Sequence, residues 1–218
     1  MRRAYGLTYI RQFRAEVLPL RGAIGALVGE PELTGSWIVW GRSGNGKTRF
    51  ALQVAKELAR HGRLVYNSLE EGLCLTMQRA IEEVGFTDVR KNFYLLDREP
   101  IEELEERLQG RHAPRFVVVD SLQYSGLDYE GYRRLVNLHR DKLFVWVSHA
   151  DGMEPKGAVA QSVRFDANVK IRVESFQAMA QSRYGGGEPY SVWPSYTSRH
   201  GLRAMDDGLV PLRKEDKL

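Results

Sequence analysis

Residues 41–48 read Gly41-Arg42-Ser43-Gly44-Asn45-Gly46-Lys47-Thr48, which matches the phosphate-binding pattern G-x-x-x-x-G-K-[ST] at every defined position. The apolar run 36–40 before this loop predicts a short strand, and the run 48–60 after it has helical periodicity. A loop between a strand and a helix can point successive backbone N–H groups and the helix N-terminus at a phosphate. The context therefore favours a nucleoside triphosphate site over a glycine-rich turn with an exposed lysine.

The residue types in this loop also predict how the nucleotide is held. All eight residues, 41–48, are expected to surround the phosphates, and the glycines let the backbone approach closely. We expect Lys47 to reach the β- and γ-phosphates and the Thr48 hydroxyl to ligate Mg²⁺. The predicted cofactors are therefore ATP and Mg²⁺.

Composition is that of an ordinary globular domain. The chain has 218 residues, of which 43% are hydrophobic and 28% charged, enough for one domain with a sizeable core. Its longest apolar runs are too short to cross a bilayer, and the N-terminus shows no signal-type apolar stretch. We expect a cytoplasmic protein without a membrane partner. The single cysteine, Cys74, excludes an intrachain disulfide.

The positive charge of the chain is concentrated at its N-terminus. The formal net charge is +4, and residues 1–22 contain five arginines against one acid, Glu16. Such an arm can contact the phosphates of a nucleic acid, or it can be a solvated helix face that packs on a neighbouring subunit. Both interpretations stay open at this stage.

Three segments are predicted along the chain. Residues 1–35 form a basic helical arm and linker, 36–194 the α/β core, and 195–218 a polar tail. Within the core, apolar strands alternate with helices as far as Ser148. This pattern favours a mostly parallel sheet covered on both faces, in three layers. A loop over 150–163 and three further strands, Val169–Val173, Ala178–Gln181 and Tyr190–Trp193, are expected to form a C-terminal β extension.

Two strand ends supply candidate carboxylates. Val117-Val118-Val119-Asp120 is an apolar strand ending in an acid, which in a phosphate-loop fold places Asp120 beside Mg²⁺, opposite Thr48. Ser68-Leu69-Glu70-Glu71 ends the strand after the phosphate-loop helix. Hydrolysis needs a base that orients a water near the γ-phosphate. Glu70 is our candidate, with Glu71 in reserve; Glu71 also fits the first turn of a helix beginning there.

The order of GRSGNGKT, LVYNSLEEG, NFYLL, FVVVDSLQYS and LFVWVSHADG resembles the RecA-like ATPases, most closely the RadA/DnaB-type branch. The resemblance covers about residues 34–194. It implies a three-layer RecA-like core with a mostly parallel sheet. It also implies that His149, at a strand end, senses the γ-phosphate and that Asp151–Ser162 faces DNA or a neighbouring subunit. Within that segment, Glu154-Pro155-Lys156 is similar to the G-P-K segment of RadA-type proteins, with Glu154 in place of the glycine. The resemblance implies that Lys156 contacts the phosphate backbone of a nucleic acid.

The resemblance further implies a site shared between subunits. Gln181-Ser182-Arg183 is similar to the K-x-R segment whose basic pair reaches a neighbour's ATP, so Arg183 is expected to act in trans. The lysine position holds Gln181, and either Arg172 or Lys170 can supply the missing charge. A homo-oligomer, ring or filament, follows from this expectation.

The function implied is a Mg²⁺-dependent ATPase that acts on single-stranded DNA in recombination, repair or replication. An alternative is a KaiC-like regulatory switch that binds proteins, because the 150–163 segment has no dense cluster of Lys and Arg. A small-molecule phosphotransferase is a weaker alternative, since residues 121–142 show no arginine-rich lid.

Overall fold

The computed structural model describes residues 4–194, 202–205 and 208–211. Its centre is a sheet in the order β3-β2-β4-β5-β1-β7-β8-β9, in which β1 to β5 and β7 are parallel and β8 and β9 are antiparallel additions. These strands are β1 Gly35–Gly41, β2 Leu64–Ser68, β3 Phe93–Asp97, β4 Phe116–Asp120, β5 Leu143–Asp151, β7 Val169–Glu174, β8 Gln177–Ser182 and β9 Tyr190–Ser191. A two-residue strand, β6 Glu154–Pro155, pairs with the end of β5.

Seven α-helices lie within residues 4–194: α1 Leu7–Gln12, α2 Gly22–Val28, α3 Lys47–Ala59, α4 Leu75–Val84, α5 Ile101–Gln109, α6 Tyr129–Leu138 and α7 Ala158–Asp166. Helices α2, α3 and α4 pack on one face of the sheet, and α5, α6 and α7 pack on the other. Strands β4 and β5 are buried on both faces, as continuous apolar runs in a parallel sheet require. The three-layer prediction and its C-terminal β extension are confirmed.

The prediction of a loop over 150–163 is wrong. Strand β5 continues to Asp151 and turns back into β6, and helix α7 begins at Ala158. This helix buries only Ala160 and Val163, too few apolar positions to give a helical period in the sequence. Its formation was therefore decided by packing against α6 and β1.

The start of α4 also differs from the sequence prediction. The helix begins at Leu75 instead of Glu71, because residues 69–72 form a turn after β2. The backbone N–H groups of Leu69 and Glu70 both donate to the carbonyl of Asp120. Glu71 therefore lies outside the first turn of the helix, and the helix-dipole explanation for this acid is wrong.

The N-terminal segment has two parts with different packing. Leu18 is fully buried and α2 buries Ile24, Leu27 and Val28, so residues 18–28 belong to the packed body. Helix α1, in contrast, buries no residue. The boundary at residue 35 stays a prediction, although packing continues well before it.

The C-terminal tail is described only in part. Two short strands, β10 Leu202–Met205 and β11 Gly208–Pro211, pair antiparallel with each other. The rest of the predicted tail, 195–218, lies outside the described residues. In the portion of the chain that is described, no helix is long and apolar enough to cross a membrane.

Candidate active site

The ends of the parallel strands assemble the candidate residues at one edge of the sheet. Gly41 pairs with His149 across β1 and β5, and Ser68 pairs with Asp120 across β2 and β4. Because parallel strands end on the same side, the loops that follow β1, β2, β4 and β5 meet there. This edge borders a cleft of about 520 Å³.

The phosphate loop forms one wall of the cleft. Gly44 and Gly46 have φ values of 77° and 89°, in the left-handed region that favours glycine. Gly46 caps helix α3, whose first residue is Lys47. Five of the eight predicted loop residues line the cleft: Ser43, Gly44, Gly46, Lys47 and Thr48.

The other loop residues have supporting positions. The carbonyl of Arg42 accepts a hydrogen bond from Lys47 Nζ at 3.1 Å. The side-chain carbonyl of Asn45 accepts from the Ser175 N–H at 2.6 Å, which ties the loop to the turn between β7 and β8. A Cβ on Gly41 would lie 2.1 Å from the Val173 carbonyl oxygen, so only glycine fits there. The loop is thus braced by the β extension.

Lys47 is partly buried beside two carboxylates. Burial lowers the pKa of its ammonium group, while Asp120 and Glu70 act in the opposite direction. A cation desolvated in this way gains much from an anionic ligand, because a phosphate replaces the solvation that burial removed. This arrangement suits Lys47 to a phosphate contact.

Asp120 is a buried carboxylate at the end of β4. Burial raises its pKa to about 6, although a hydrogen bond from the Tyr66 hydroxyl acts to lower it. The Tyr66 hydroxyl is itself fully buried, and that burial raises its pKa well above the ordinary value. A second cation near Asp120 would compensate its desolvation.

Glu70 and His149 are in direct contact. His149 Nε2 lies 2.9 Å from Glu70 Oε2, and the Ser121 hydroxyl donates to the same oxygen at 3.2 Å. The two residues belong to separate motifs, and no local pattern in the sequence indicates that they touch. Glu71 points to a different partner, since its Oε2 accepts from the Thr76 hydroxyl at 2.9 Å. Both glutamates line the cleft.

The residues present fit ATP and Mg²⁺. The glycine cradle of the loop, the desolvated ammonium of Lys47 and the helix N-terminus of α3 suit a polyphosphate. A hydroxyl from Thr48 and a carboxylate from Asp120 border the same cleft, and hard oxygen donors of this kind are what Mg²⁺ prefers.

Sequence reasoning missed several residues of the cleft. Arg49, Arg79, Phe176 and Trp193 line it, and the Arg49 guanidinium carbon lies 4.3 Å from the centroid of the Trp193 ring. Phe176 and Trp193 are far from the loop in sequence and reach it only through the β extension. No local motif marks them. Ser121, which donates to Glu70, was also missed, although it lies in the DSLQ segment that belongs to the family resemblance.

Arg183 lies away from the cleft of its own subunit. Ser182 pairs with Val169, which pairs with Trp37 near the start of β1, whereas the phosphate loop follows Gly41. Four residues of strand, roughly 13 Å, separate the two levels. Arg183 therefore does not join the residues gathered around Lys47.

Lys170 stands opposite Gln181 in the β7–β8 register. Its pKa is lowered by burial first and then by the nearby charges of Arg183 and Arg164. The cation missing at position 181 thus has a counterpart on the adjacent strand. Arg172 is a less suitable substitute, because its guanidinium pairs with Glu174.

The segment after His149 carries little positive charge. Asp151 pairs with Glu154 across the tight β5–β6 hairpin, and the side chains of Asp151, Met153 and Glu154 are exposed at its tip. Lys156 is exposed, and its backbone N–H donates to the His149 carbonyl at 2.8 Å. The predicted phosphate-backbone contact of Lys156 stays a prediction.

Comparison with known proteins gives similarity at the level of structure. No family model matches the sequence, and no curated protein sequence is similar to it. The chain is similar to the flagellar accessory protein FlaH from Methanocaldococcus jannaschii, with 13% identity and a TM-score of 0.55 over 81% of this chain and 94% of that one. It is also similar to a KaiC-like protein from Pyrococcus horikoshii OT3, with 17% identity and a TM-score of 0.58 over 90% of this chain and 98% of that one. Together with the strand order and the phosphate loop, these similarities show that the chain has the three-layer RecA-like P-loop fold.

Proposed function

We propose that this protein is a Mg²⁺-dependent ATPase whose base is Glu70. The observation that supports it best is the convergence of Lys47, Asp120, Glu70 and His149 on one cleft beside the phosphate loop. A carboxylate held by two polar partners beside the phosphate site is suited to orient and deprotonate a water.

Each residue has a role that follows from its chemistry. Lys47 and the loop N–H groups hold the phosphates, and Glu70 orients a water and accepts its proton. His149 contacts Glu70 and stands where a γ-phosphate sensor is expected. Thr48 and Asp120 would hold Mg²⁺, which when bound supplies charge neutralisation on the phosphate oxygens.

We propose an oligomer in which Arg183 completes the site of a neighbouring subunit. Arg183 and Lys170 lie together at the sheet edge opposite the phosphate loop, and no ion-pair partner is found for either among the described residues. A guanidinium supplied across an interface would offset charge developing on the transferred phosphoryl group. A monomeric chain would leave these cations without that role.

The ATPase proposal is tested by phosphate release with ATP and Mg²⁺. Lys47→Ala should abolish nucleotide binding, and Glu70→Gln should lower kcat by about 100-fold or more while nucleotide still binds. Glu82→Gln, on the exposed side of α4, is the matched control and should behave as wild type. A Glu70→Gln protein with the wild-type rate would refute the assignment of the base.

We propose single-stranded DNA as the partner, through the N-terminal arm. Tyr5 and Tyr9 stack with ring centroids 4.6 Å apart, and both are exposed, as are Arg11 and Arg14. Aromatic rings combined with arginines are the usual means of holding single-stranded nucleic acid. With this partner, the proposed ATPase would act in DNA recombination, repair or replication, as the resemblance to the RadA/DnaB-type branch implies.

A second candidate, a KaiC-like regulatory switch, is favoured by the β5–β6 hairpin. The tip of this hairpin presents Asp151 and the exposed apolar side chain of Met153, while Glu154 beside them pairs with Arg164 at 2.7 Å. Carboxylates repel a phosphate backbone, whereas an apolar residue with flanking acids suits a protein surface.

One pair of measurements separates the two candidates. If DNA is the partner, single-stranded DNA should raise the ATPase rate and bind at low salt, and Arg11→Ala with Arg14→Ala should weaken both effects. If a protein is the partner, DNA should leave the rate unchanged, and Met153→Asp should reduce binding of a protein partner instead. For either candidate, light scattering with and without ATP measures the number of subunits in the oligomer.

A further inference from the structure

Gln123 occupies a junction between the cleft and the β5–β6 hairpin. It lies in a 3₁₀ turn, Leu122–Tyr124, that follows β4 three residues after Asp120. Its Nε2 donates to Ser148 Oγ at 2.9 Å and to the Lys156 carbonyl at 2.8 Å, and its Oε1 accepts from the His149 N–H at 3.0 Å. One planar amide therefore holds both strands at the base of the hairpin.

The same residues lead directly to the proposed base. His149, whose N–H is held by Gln123, contacts Glu70 through its ring at 2.9 Å. On the other side, the Lys156 N–H donates to the His149 carbonyl, and beyond it Pro155 pairs with Ala150. A continuous set of hydrogen bonds thus joins the Glu70 carboxylate to the hairpin through Gln123 and His149.

We propose that Gln123 is a positioning residue that makes His149 and the β5–β6 hairpin move together. Both amide atoms of Gln123 have partners, two for Nε2 and one for Oε1, and those partners lie on β5 and just after β6. A displacement of His149 toward a bound nucleotide must either carry the amide and Lys156 with it or break these bonds. A partner bound at the hairpin tip would act on Glu70 by the same connection.

This inference rests on the proposed ATPase function and adds regulation to it. It predicts that loss of Gln123 lowers turnover more than nucleotide affinity, because the phosphate loop is untouched. If Gln123 had only a structural role, its loss would lower the stability of the protein without changing how the hairpin responds to nucleotide. The response of the hairpin is therefore the deciding measurement.

The experiment measures hydrogen–deuterium exchange of peptides covering 143–157, with and without Mg²⁺ and a non-hydrolysable ATP analogue. In the wild type, the analogue should change exchange at His149 and over 150–157 together. In Gln123→Ala, the analogue should bind within about twofold of wild type, the change over 150–157 should be lost, and kcat should fall about tenfold with KM within about twofold. Gln78→Ala, an exposed amide on α4, is the matched control and should match wild type.

A second variant keeps the test decisive if Gln123→Ala does not fold. Gln123→Glu retains an acceptor for the His149 N–H and loses both donors, so kcat should stay closer to wild type while the hairpin response is still lost. A normal hairpin response in the folded variants would overturn the coupling while leaving the ATPase proposal intact. A wild-type protein that binds no nucleotide would refute both the proposed function and the coupling.

Discussion

The hydroxyl of Tyr66 donates a hydrogen bond to the carboxylate of Asp120 across the adjacent strands β2 and β4. Both side chains are buried, and Asp120 lines the cleft that the phosphate loop borders. The contact supplies Asp120 with one donor, but burial still dominates and raises the pKa of the acid from 3.8 to about 6. At neutral pH, in the absence of nucleotide and metal, the charged carboxylate of Asp120 therefore destabilises the folded state.

This charge predicts a pH-dependent effect of Asp120→Asn. The raised pKa means that the folded state binds the proton of Asp120 more tightly than the unfolded state does. Protonated Asp120 therefore stabilises the folded state fully below about pH 4, and this stabilisation is lost as the pH rises through about 6. The shift corresponds to about 3 kcal/mol. In EDTA, the variant should exceed wild type in free energy of unfolding by up to that amount at pH 7.5 and by little at pH 4.

Urea denaturation at the two pH values checks this prediction. Asp151→Asn, which removes an exposed carboxylate from the end of β5, serves as the control and should show no comparable pH-dependent gain. A difference between Asp120→Asn and wild type that is the same at both pH values would contradict it.

The bond between Asn45 Oδ1 and the Ser175 N–H predicts that the β extension supports nucleotide binding. Asn45→Ala removes this acceptor and weakens the connection between the loop and the turn of β7 and β8, although the bond from the Phe176 N–H to the Asn45 backbone carbonyl remains. We expect the dissociation constant for a fluorescent ATP analogue to rise about tenfold, consistent with one or two hydrogen bonds of about 1 kcal/mol. Asn137→Ala, on exposed α6, should leave the constant unchanged, and equal constants for the two variants would exclude this bracing role.

Arg183 predicts complementation between subunits. Arg183→Ala and Glu70→Gln should each be nearly inactive alone, because one lacks the trans cation and the other lacks the base. Mixed subunits should recover part of the rate, since some interfaces then combine an intact Glu70 with a neighbour's intact Arg183. Phosphate release across a series of mixing ratios measures this recovery, with Arg140→Ala as an exposed-arginine control. A mixture whose rate never exceeds that of the two separate variants would argue against action in trans.

Gly186 predicts a stability effect at the contact between the β extension and α2. A Cβ at this position would lie 2.6 Å from Gly29 N and 2.7 Å from the Leu27 carbonyl oxygen, and φ is 78°. Gly186→Ala should therefore lower the free energy of unfolding by more than about 2 kcal/mol. Gly185→Ala has φ of 84° but meets nothing within 4 Å, so only the backbone strain of about 1 kcal/mol applies. Thermal or urea unfolding compares the two, and equal losses would show that the close packing is unimportant.

Local patterns in the sequence were sufficient for much of the fold. The phosphate loop, the apolar strands and the helical periods of α3, α5 and α6 predicted the alternation and the parallel sheet, because each depends on residues close together in the chain. Helix α7 and the late start of α4 could not be predicted in this way. Contacts with distant elements decided them, through the packing of Ala160 and Val163 and the hydrogen bonds from residues 69 and 70 to Asp120.

The sequence by itself determined that a phosphate loop exists, that carboxylates lie at or just after the ends of β2 and β4, and that a polar pair follows the apolar run Leu143–Val147. Only the tertiary structure decided that His149 touches Glu70, that Tyr66 binds Asp120, and that Arg183 lies at the other edge of the sheet. The physical reason is that a motif specifies which groups a strand end offers, whereas strand order and register decide which of those groups meet.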